Sequence, residues 1–310
     1  MRDKIKAMAH KIGFDLVGVC GVERAESVEF ARLWVESGFH GSMDFMAKSL
    51  PIRGDAQSIL PGATSAIVVG LNYFQPSEPV AGQPRIAKYA LGRDYHKVIR
   101  GKLRALGRGL SDQLPGEQFR ACVDSAPIFE REFAVRAGLG WLGKNSCLIN
   151  TRKGSWFFIG VLLTTARLEV DKAANGGCGT CKKCVDACPT GAIVQLEGRW
   201  TVDARRCVSY LTIEHRGPID AELHRGVCDW TFGCDICQDV CPFNAPRAHQ
   251  PERSAVTMES DFLDVREWPS LVELAELSGE SWDAMTRGSA TRRAKEEQWR
   301  RNAKMNLENG

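Results

Sequence analysis

The sequence predicts an α+β protein built from a mixed α/β domain, a cysteine-rich module and a helical, basic tail. Three observations lead to this fold class. Strand-like apolar runs alternate with segments of helical period up to about residue 168, nine of the 12 cysteines fall within 178–241, and the whole net charge of +3 lies in the last 30 residues. We therefore expect three regions, over 1–168, 169–250 and 251–310.

The helices and strands of the first region follow from apolar spacing and from chain breakers. The spacing predicts helices over 4–12, 28–37, 94–110 and 128–137, and Pro127 suits the first position of the last one. Runs rich in Val and Ile predict strands over 14–22, 65–74, 119–123, 147–150 and 156–163. Three prolines and a glycine make 76–84 a loop.

The ends of the chain and its hydropathy predict a cytoplasmic protein that does not enter a membrane. Residues 1–6 mix charges and contain no apolar signal core. The longest strongly apolar run, 156–166, has 11 residues, whereas a membrane span needs about 20. Clustered thiolates in the cytoplasm more often bind metal than form disulfides.

The cysteine spacing is the strongest motif. Cys178-x2-Cys181-x2-Cys184-x3-Cys188-Pro189 has the spacing of the bacterial ferredoxin run. A zinc site would instead use two C-x2-C pairs separated by a longer spacer. In the ferredoxin run the fourth cysteine serves a second cluster. We therefore expect [4Fe–4S] clusters that conduct electrons, with a purely architectural role as the less favoured alternative.

A second copy of the motif lacks one ligand. Cys234, Cys237 and Cys241-Pro242 keep the spacing, but Thr231 stands where the first cysteine would fall. Either Cys207 or Cys228 could replace it. Swapped ligation then gives one cluster to Cys178, Cys181, Cys184 and Cys241, and the other to Cys188, Cys234, Cys237 and the replacement.

The long region ahead of the clusters predicts that they deliver electrons to something bound there. Gly138, Gly140 and Gly143 match the G-x-G-x-x-G pattern, but the motif follows a helix, so a dinucleotide site is not expected. Asp94 and His96 resemble the D-x-H motif that supplies a histidine to cobalt, yet Ile99 replaces its glycine.

Five further segments occur in an order that resembles a known family. They are residues 89–96, 123–130, 138–145, 206–214 and 288–295, together with the double cysteine motif. The chain is similar to the epoxyqueuosine reductases, the cobalamin and iron–sulfur enzymes that complete queuosine in tRNA. The resemblance extends from the N-terminus almost to the end of the chain.

The resemblance implies cobalamin in the first domain, base-off and with no protein histidine on cobalt. By position, the corrin would be lined by Arg53, Ala87, Asp124, Gly143, Leu148, Ile159 and Ser209. Small residues there allow close approach, although several of these positions also suit a core strand. The resemblance also favours Cys207 over Cys228 as the extra ligand of cluster two.

Asp124 is the expected proton donor. Removal of an epoxide oxygen to leave an alkene needs two electrons and protonation of the departing oxygen, which a buried and therefore neutral carboxylic acid could deliver. The alternative is that Asp124 caps the helix that follows it.

The basic tail is expected to contact tRNA phosphates, with Arg216 nearer the anticodon loop. The tail residues in this set are Arg287, Arg292, Arg293, Lys295, Arg300, Arg301 and Lys304. A solvated helix face is the alternative explanation of the same charge pattern.

The function that these observations favour is reduction of epoxyqueuosine at the tRNA wobble position, by a monomer that receives electrons from a flavodoxin or ferredoxin. Two alternatives remain open from the sequence. One is a cobalamin-dependent reductase of a small molecule such as an organohalide, and the other is a non-catalytic electron carrier.

Overall fold

The computed structural model describes residues 1–246 and 248–309, and its centre is a four-stranded antiparallel sheet. The strands are β1 (Leu16–Gly21), β2 (Ser65–Asn72), β4 (Phe119–Cys122) and β7 (Phe157–Thr164). Their order in the sheet is β1-β2-β7-β4, so the longest strands lie in the middle and their backbone groups are paired on both sides.

Helices cover both faces of this sheet. Ile67 and Val69 of β2 belong to a core with α1 (Arg2–Ile12) and α4 (Tyr95–Ser111). The alternate residues Ala66 and Val68 pack toward α5 (Glu130–Arg136), because successive strand side chains point to opposite faces. Two further helices, α2 (Ser27–Glu36) and α3 (Asp44–Arg53), pack on each other. This arrangement confirms the predicted α+β class.

Two local predictions differ from the structure. No helix was predicted over the range of α3, which contains Pro51, a residue that usually breaks a helix. The prediction of Pro127 at a first helical position was wrong, since α5 begins at Glu130. The residues before it form an irregular loop in which Asp124 has a φ of 51°, a backbone conformation that residues other than glycine rarely adopt.

The cysteine module consists of short elements that contact the first region. Its elements are α6 (Lys183–Asp186), the hairpin of β8 (Ile193–Leu196) and β9 (Arg199–Val202), α7 (Val208–Ile213), α8 (Ala221–Val227), β10 (Trp230–Phe232) and α9 (Ile236–Asp239). Helix α7 packs on β10. Strand β10 pairs in parallel with β3 (Arg85–Ile86). A hairpin of β5 (Trp141–Leu142) and β6 (Leu148–Ile149) precedes the module.

The C-terminal region is helical, as predicted, and packs around Trp299. Its helices are α10 (Ser260–Leu263), α11 (Leu271–Ala275), α12 (Gly279–Thr286) and α13 (Glu296–Asn309). The apolar cluster around Trp299 includes Trp268, Leu271, Leu274, Trp282 and Met285. Gly310 lies outside the described residues. Within 1–246 and 248–309, no helix is long and apolar enough to cross a membrane.

Candidate iron–sulfur and cobalamin site

Four of the predicted ligands line one cavity. Cys178, Cys181, Cys184 and Cys241 surround it together with Asn145, Ile149, Pro242 and Phe243. Burial, together with the neighbouring thiolates of Cys178 and Cys241, raises the pKa of the Cys184 thiol to about 11. This grouping is the one that swapped ligation predicts for cluster one, and its four sulfur donors fit an iron–sulfur cluster.

The other four predicted ligands form a second group. Burial raises the pKa of Cys207 and Cys234, and the charge of Cys188 raises it further in both. A hydrogen bond with Cys147, burial, and the charges of Cys234 and Cys207 raise the pKa of Cys237. These four thiols are therefore electrostatic neighbours, as expected for the ligands of cluster two.

The position of Cys228 distinguishes it from Cys207. Cys228 is exposed, and its Sγ lies 3.5 Å from two backbone carbonyl oxygens of α8. Burial raises its pKa, and the charged neighbours that modify this shift are Asp229 and Arg85. The structure thus places Cys207, and not Cys228, beside the other predicted ligands of cluster two.

The thiols are grouped but do not converge on a point. Among the residues that the structure describes, no three His, Cys, Asp or Glu side chains are placed to hold a single metal ion. A [4Fe–4S] cluster is bound through four separate irons, so its ligands stand around a volume. The cavity of cluster one matches that requirement.

The loop between β5 and β6 holds both cysteine groups in place. The Lys144 ammonium donates to the carbonyl oxygens of Gly179 and Cys181, both at 2.8 Å. The Asn145 side chain donates to the carbonyl oxygen of Cys237 at 3.2 Å. Two adjacent residues therefore fix one backbone segment of each predicted cluster.

A buried ion pair joins the first region to the loop of cluster two. Lys88 is 8% exposed, and its ammonium lies 2.9 Å from Asp239 and 3.5 Å from Asp235. Burial raises the pKa of Asp235 to about 6, although the charge of Lys88 opposes that shift. Sequence reasoning missed this pair, because its two halves are about 150 residues apart.

Asp124 is paired with His96. The Nε2 atom of His96 lies 2.9 Å from Asp124 Oδ2, and its Nδ1 atom lies 2.7 Å from Asp94 Oδ1. Burial raises the pKa of Asp124, but the hydrogen bond and charge of His96 outweigh it, so the pKa is lowered overall. The bond from His96 therefore favours the ionised form of Asp124, in contrast to the neutral acid that was expected.

The same pairing removes the two alternatives considered for these residues. Asp124 does not cap α5, whose first turn has no side-chain cap. Asp94 caps α4 and accepts from the backbone amide of His96 at 3.0 Å. Both ring nitrogens of His96 are occupied by carboxylates, so neither is free for cobalt.

Arg53 and Glu130 lie next to Asp124. The Arg53 guanidinium donates to the carbonyl oxygen of Ile128 at 3.2 Å. Burial lowers the pKa of Arg53, and the charges of Glu130 and Asp124 only partly oppose this shift. Burial and the charge of Asp124 raise the pKa of Glu130 to about 8, and its Oε1 atom is buried without a hydrogen-bond partner. Sequence reasoning did not single out Glu130.

The remaining corrin-lining candidates border the same face. Seven of the eight residues of β7 are buried, and the exception is Ile159 in the middle of the strand. A partly exposed apolar side chain in a central strand indicates space for an apolar ligand. Ile159 packs in one cluster with Leu148, and Gly143 lies against Ile149, where a Cβ would come within 2.6 Å of the Ile149 side chain.

Ala87 and Ser209 lie on the side of cluster two. Ala87 is buried, and its backbone amide donates to the carbonyl oxygen of Phe232 at 2.8 Å. A Cβ on Gly233 would come within 2.6 Å of the Ala87 Cβ, so glycine is required there. Ser209 is half-buried two residues after Cys207. The residues present thus fit a flat cofactor next to cluster two.

The predicted tRNA-binding cations are partly engaged within the protein. Arg287 and Arg292 both bind Asp283, and Arg293 binds Glu214 at 2.7 Å. The Glu214 hydrogen bond raises the pKa of Arg293, and so does the charge of Asp124, which places this arginine near Asp124.

The other cations of this set differ in their surroundings. Arg216 and Lys295 are exposed, whereas Arg300 pairs with Glu296 at 2.7 Å. Arg301 donates to the carbonyl oxygens of Leu211, His215 and Gly217, and burial together with the charge of Arg216 lowers its pKa to about 10. Arg301 therefore supports the fold of the segment that carries Arg216.

Comparison with known proteins finds matches to both the cysteine module and the first region. The family model of a 4Fe-4S double cluster binding domain matches residues 177–244, which include all eight predicted ligands. The epoxyqueuosine reductase QueG family model matches residues 53–125. The epoxyqueuosine reductase of Vibrio cholerae is 41% identical over 97% of this chain and 81% of its own length, and that of Gloeobacter violaceus is 41% identical over 98% and 95%.

The chain belongs to the epoxyqueuosine reductase family. The chain is an oxidoreductase whose cofactors are two [4Fe–4S] clusters and cobalamin.

Solved structures of this family have the same fold. The epoxyqueuosine reductase of Streptococcus thermophilus superposes with a TM-score of 0.83 at 28% identity, over 99% of this chain and 80% of its own. An epoxyqueuosine reductase crystallised with an epoxyqueuosine-modified tRNA stem loop gives 0.83 at 25% identity, over 99% and 80%. A catabolic reductive dehalogenase gives 0.50 at 19% identity, over 81% and 33%, which shows a shared fold alone.

Proposed function

We propose that this chain reduces epoxyqueuosine to queuosine at the wobble position of tRNA, with Asp124 delivering a proton to the departing epoxide oxygen. The observation that carries the proposal is the position of Asp124, which borders the corrin-lining candidates and lies near Arg293 of the basic tail. A related structure holds an epoxyqueuosine-modified tRNA stem loop, which supports the same substrate here.

Cobalamin would be held by Arg53, Ala87, Gly143, Leu148, Ile159 and Ser209. When bound, it supplies the reducing electrons for cleavage of the epoxide carbon–oxygen bonds. The residues of this chain position the substrate, exclude water from the apolar face at Ile159, and pass a proton to the departing oxygen through the Asp124 carboxylate. A modified base recognised by splaying into a pocket would reach this site past Arg293.

The conformation of Asp124 suits a residue that moves during the reaction. Its φ of 51° and its 63% exposed side chain place it on an irregular loop outside β4 and α5. A Bacillus subtilis epoxyqueuosine reductase, with a TM-score of 0.81 at 26% identity over 99% of this chain, is described with its catalytic aspartate loop swung out of the active site. That description supports a catalytic aspartate on a mobile loop in this chain.

Electrons would enter at cluster one. Cys178, Cys181 and Cys184 are half-buried at the surface, whereas the loop of cluster two is tied to Ala87 and Lys88. The exposed Lys182 and Lys183 lie within the cluster-one motif. A basic rim of this kind favours an acidic carrier such as a flavodoxin or ferredoxin. We further propose that the chain acts as a monomer in the cytoplasm, where its tRNA substrate would be found.

The experiment that tests the catalytic assignment is the replacement Asp124→Asn. Loss of a general acid is expected to reduce turnover per bound cobalamin at least about a hundredfold, with cobalamin content measured by absorbance. The exposed Asp112 gives a matched control, Asp112→Asn, with unchanged turnover. Near-normal turnover of the Asp124→Asn protein would show that Asp124 is not the proton donor.

A further inference from the structure

The chemistry of the proposed reaction requires more protons than Asp124 holds. Conversion of an epoxide to an alkene breaks two carbon–oxygen bonds and releases the oxygen as water, so it consumes two electrons and two protons. The cofactors supply the electrons. Asp124 is paired with His96 and its pKa is lowered, so in this state it is a carboxylate without a proton to give.

The geometry around His96 identifies a stored proton. Its Nδ1 atom faces Asp94 at 2.7 Å and its Nε2 atom faces Asp124 at 2.9 Å. Ionised carboxylates only accept hydrogen bonds, so both ring nitrogens must donate and the ring is an imidazolium. The Tyr95 ring stacks on it with centroids 4.0 Å apart, which fixes the plane of the ring.

Charged groups on the neighbouring elements affect the charge of His96 mainly through the carboxylates of Asp94 and Asp124. Lys97 on α4 stabilises ionised Asp94, and Arg131 on α5 stabilises ionised Asp124. Arg53, Glu130 and Arg293 also interact electrostatically with Asp124, and Arg100 binds the adjacent Ser125. Burial lowers the pKa of His96, but its bonds to Asp124 and Asp94 outweigh this and raise the pKa to about 9.

We propose that His96 is the proton reservoir of the reaction and recharges Asp124 through the Nε2–Oδ2 hydrogen bond. This proposal rests on the proposed function. The Nε2–H bond breaks as an O–H bond forms on Asp124, and that O–H bond breaks in turn as the proton moves to the departing oxygen. Water then returns a proton to the imidazole, whose side chain is 27% exposed. The second proton follows the same path.

The neighbouring carboxyl groups of Asp94 and Glu130 clarify the role of His96. Asp94 holds Nδ1, so the ring keeps its orientation after it loses the Nε2 proton, as a carboxylate does for a catalytic histidine. Glu130 also stores a proton near neutral pH, but its carboxyl group bonds the backbone of Asp124 and not the Asp124 carboxylate. Tyr95 also bonds the Asp124 carboxylate, but burial raises the pKa of Tyr95 well above its ordinary value, so Tyr95 keeps its proton. His96 is therefore the direct partner that gives up a proton, and we describe it as a positioning residue because it acts through Asp124.

The first test uses the full chain without cobalamin. The His96 ring, followed by NMR during a pH titration, is expected to titrate near pH 9, and Asp124→Asn is expected to lower that value. Titration of the ring near its ordinary value of 6.5, or no change in Asp124→Asn, would overturn the proposal. This readout does not depend on activity.

The second test uses the cofactor-loaded enzyme and an epoxyqueuosine-containing tRNA stem loop. His96→Gln cannot store the proton, so turnover is expected to fall at least about tenfold with unchanged KM and cobalamin content. The remote His10→Gln is the control. Asp94→Asn keeps the ring and is expected to move the alkaline fall of the pH–rate profile down by about one unit.

The outcomes separate the two proposals. Wild-type turnover in His96→Gln, or an unmoved alkaline limb in Asp94→Asn, would overturn the role of His96 while the proposed function stands. Failure of the wild-type enzyme to convert the stem loop would overturn the proposed function itself. If His96→Gln does not fold, the Asp94→Asn profile and the NMR titration still decide.

Discussion

The backbone amide of Lys88 donates a 2.8 Å hydrogen bond to the carboxylate of Asp235, and the Lys88 ammonium lies 3.5 Å from the same carboxylate. Lys88 follows the corrin-lining candidate Ala87, and Asp235 lies between the cluster ligands Cys234 and Cys237. This contact therefore sets the position of the predicted cofactor edge relative to cluster two, which is the path that electrons must take.

Removal of the Lys88 charge is expected to destabilise the fold. Lys88→Met would leave Asp235, which is 2% exposed, without its buried partner, at a cost of about 3 kcal/mol. Urea unfolding of the chain under reducing conditions measures this loss, and Lys48→Met on an exposed lysine is the control. The double variant Lys88→Met with Asp235→Asn should recover most of the stability; equal loss in single and double variants would contradict the ion-pair account.

The pairing of His96 predicts how stability depends on pH. Its raised pKa means that its contribution is complete below about 6.5 and is lost as pH rises through about 9. The lowered pKa values of Asp94 and Asp124 mean that their contribution is present above 3.8 and lost as pH falls below it. The difference in unfolding free energy between wild type and His96→Gln should therefore be largest between pH 3.8 and about pH 6.5. A difference independent of pH from 5 to 10 would contradict the pairing.

Cys207 and Cys228, the two candidates for the remaining ligand of cluster two, lead to opposite predictions for iron content. Cys207→Ser should lose one cluster, so that iron falls from about eight to about four per chain. Cys228→Ser should keep both clusters, because Cys228 is exposed and its charged neighbours are Asp229 and Arg85. Iron analysis and EPR of anaerobically purified protein measure both. Loss of a cluster in Cys228→Ser would reverse the assignment.

Electron entry at cluster one predicts a charge-dependent reduction rate. Charge reversal in Lys182→Glu with Lys183→Glu should slow reduction by an acidic flavodoxin about tenfold at low salt. Reduction by dithionite, which needs no docking surface, should be unaffected, and Lys11→Glu on the distant α1 should change neither rate. Stopped-flow absorbance follows both reactions. An equal rate with flavodoxin in all variants would place electron entry elsewhere.

The basic tail predicts salt-dependent binding of tRNA. Arg292→Ala and Arg293→Ala should each weaken binding of the stem loop and reduce its salt slope by about one. Because Arg293 also interacts with Asp124, its loss should lower turnover more than that of Arg292. The exposed Arg104→Ala on α4 is the control. Unchanged affinity and salt slope in both tail variants would favour the solvated helix face.

Local patterns in the sequence predicted most helices and strands and seven of the eight cysteine ligands. Strands β2 and β7 follow from long runs of branched apolar residues, and the seven ligands follow from fixed spacings, whereas only the family resemblance favoured Cys207 over Cys228. The pairs that shape the site could not be found in this way. Lys88 with Asp235 and His96 with Asp124 join distant segments, and no local period or spacing records such contacts. Even where Asp124 was identified, its charge state depended on His96, which only the fold brings to it.

The most direct test of the account is conversion of epoxyqueuosine by the intact, cofactor-loaded chain. The substrate is a tRNA anticodon stem loop that contains epoxyqueuosine, and mass spectrometry of the digested nucleosides follows loss of the epoxide oxygen. We expect queuosine to accumulate with reductant, and no turnover of a free organohalide under the same conditions. Turnover of the organohalide with the stem loop left unchanged would contradict the central claim.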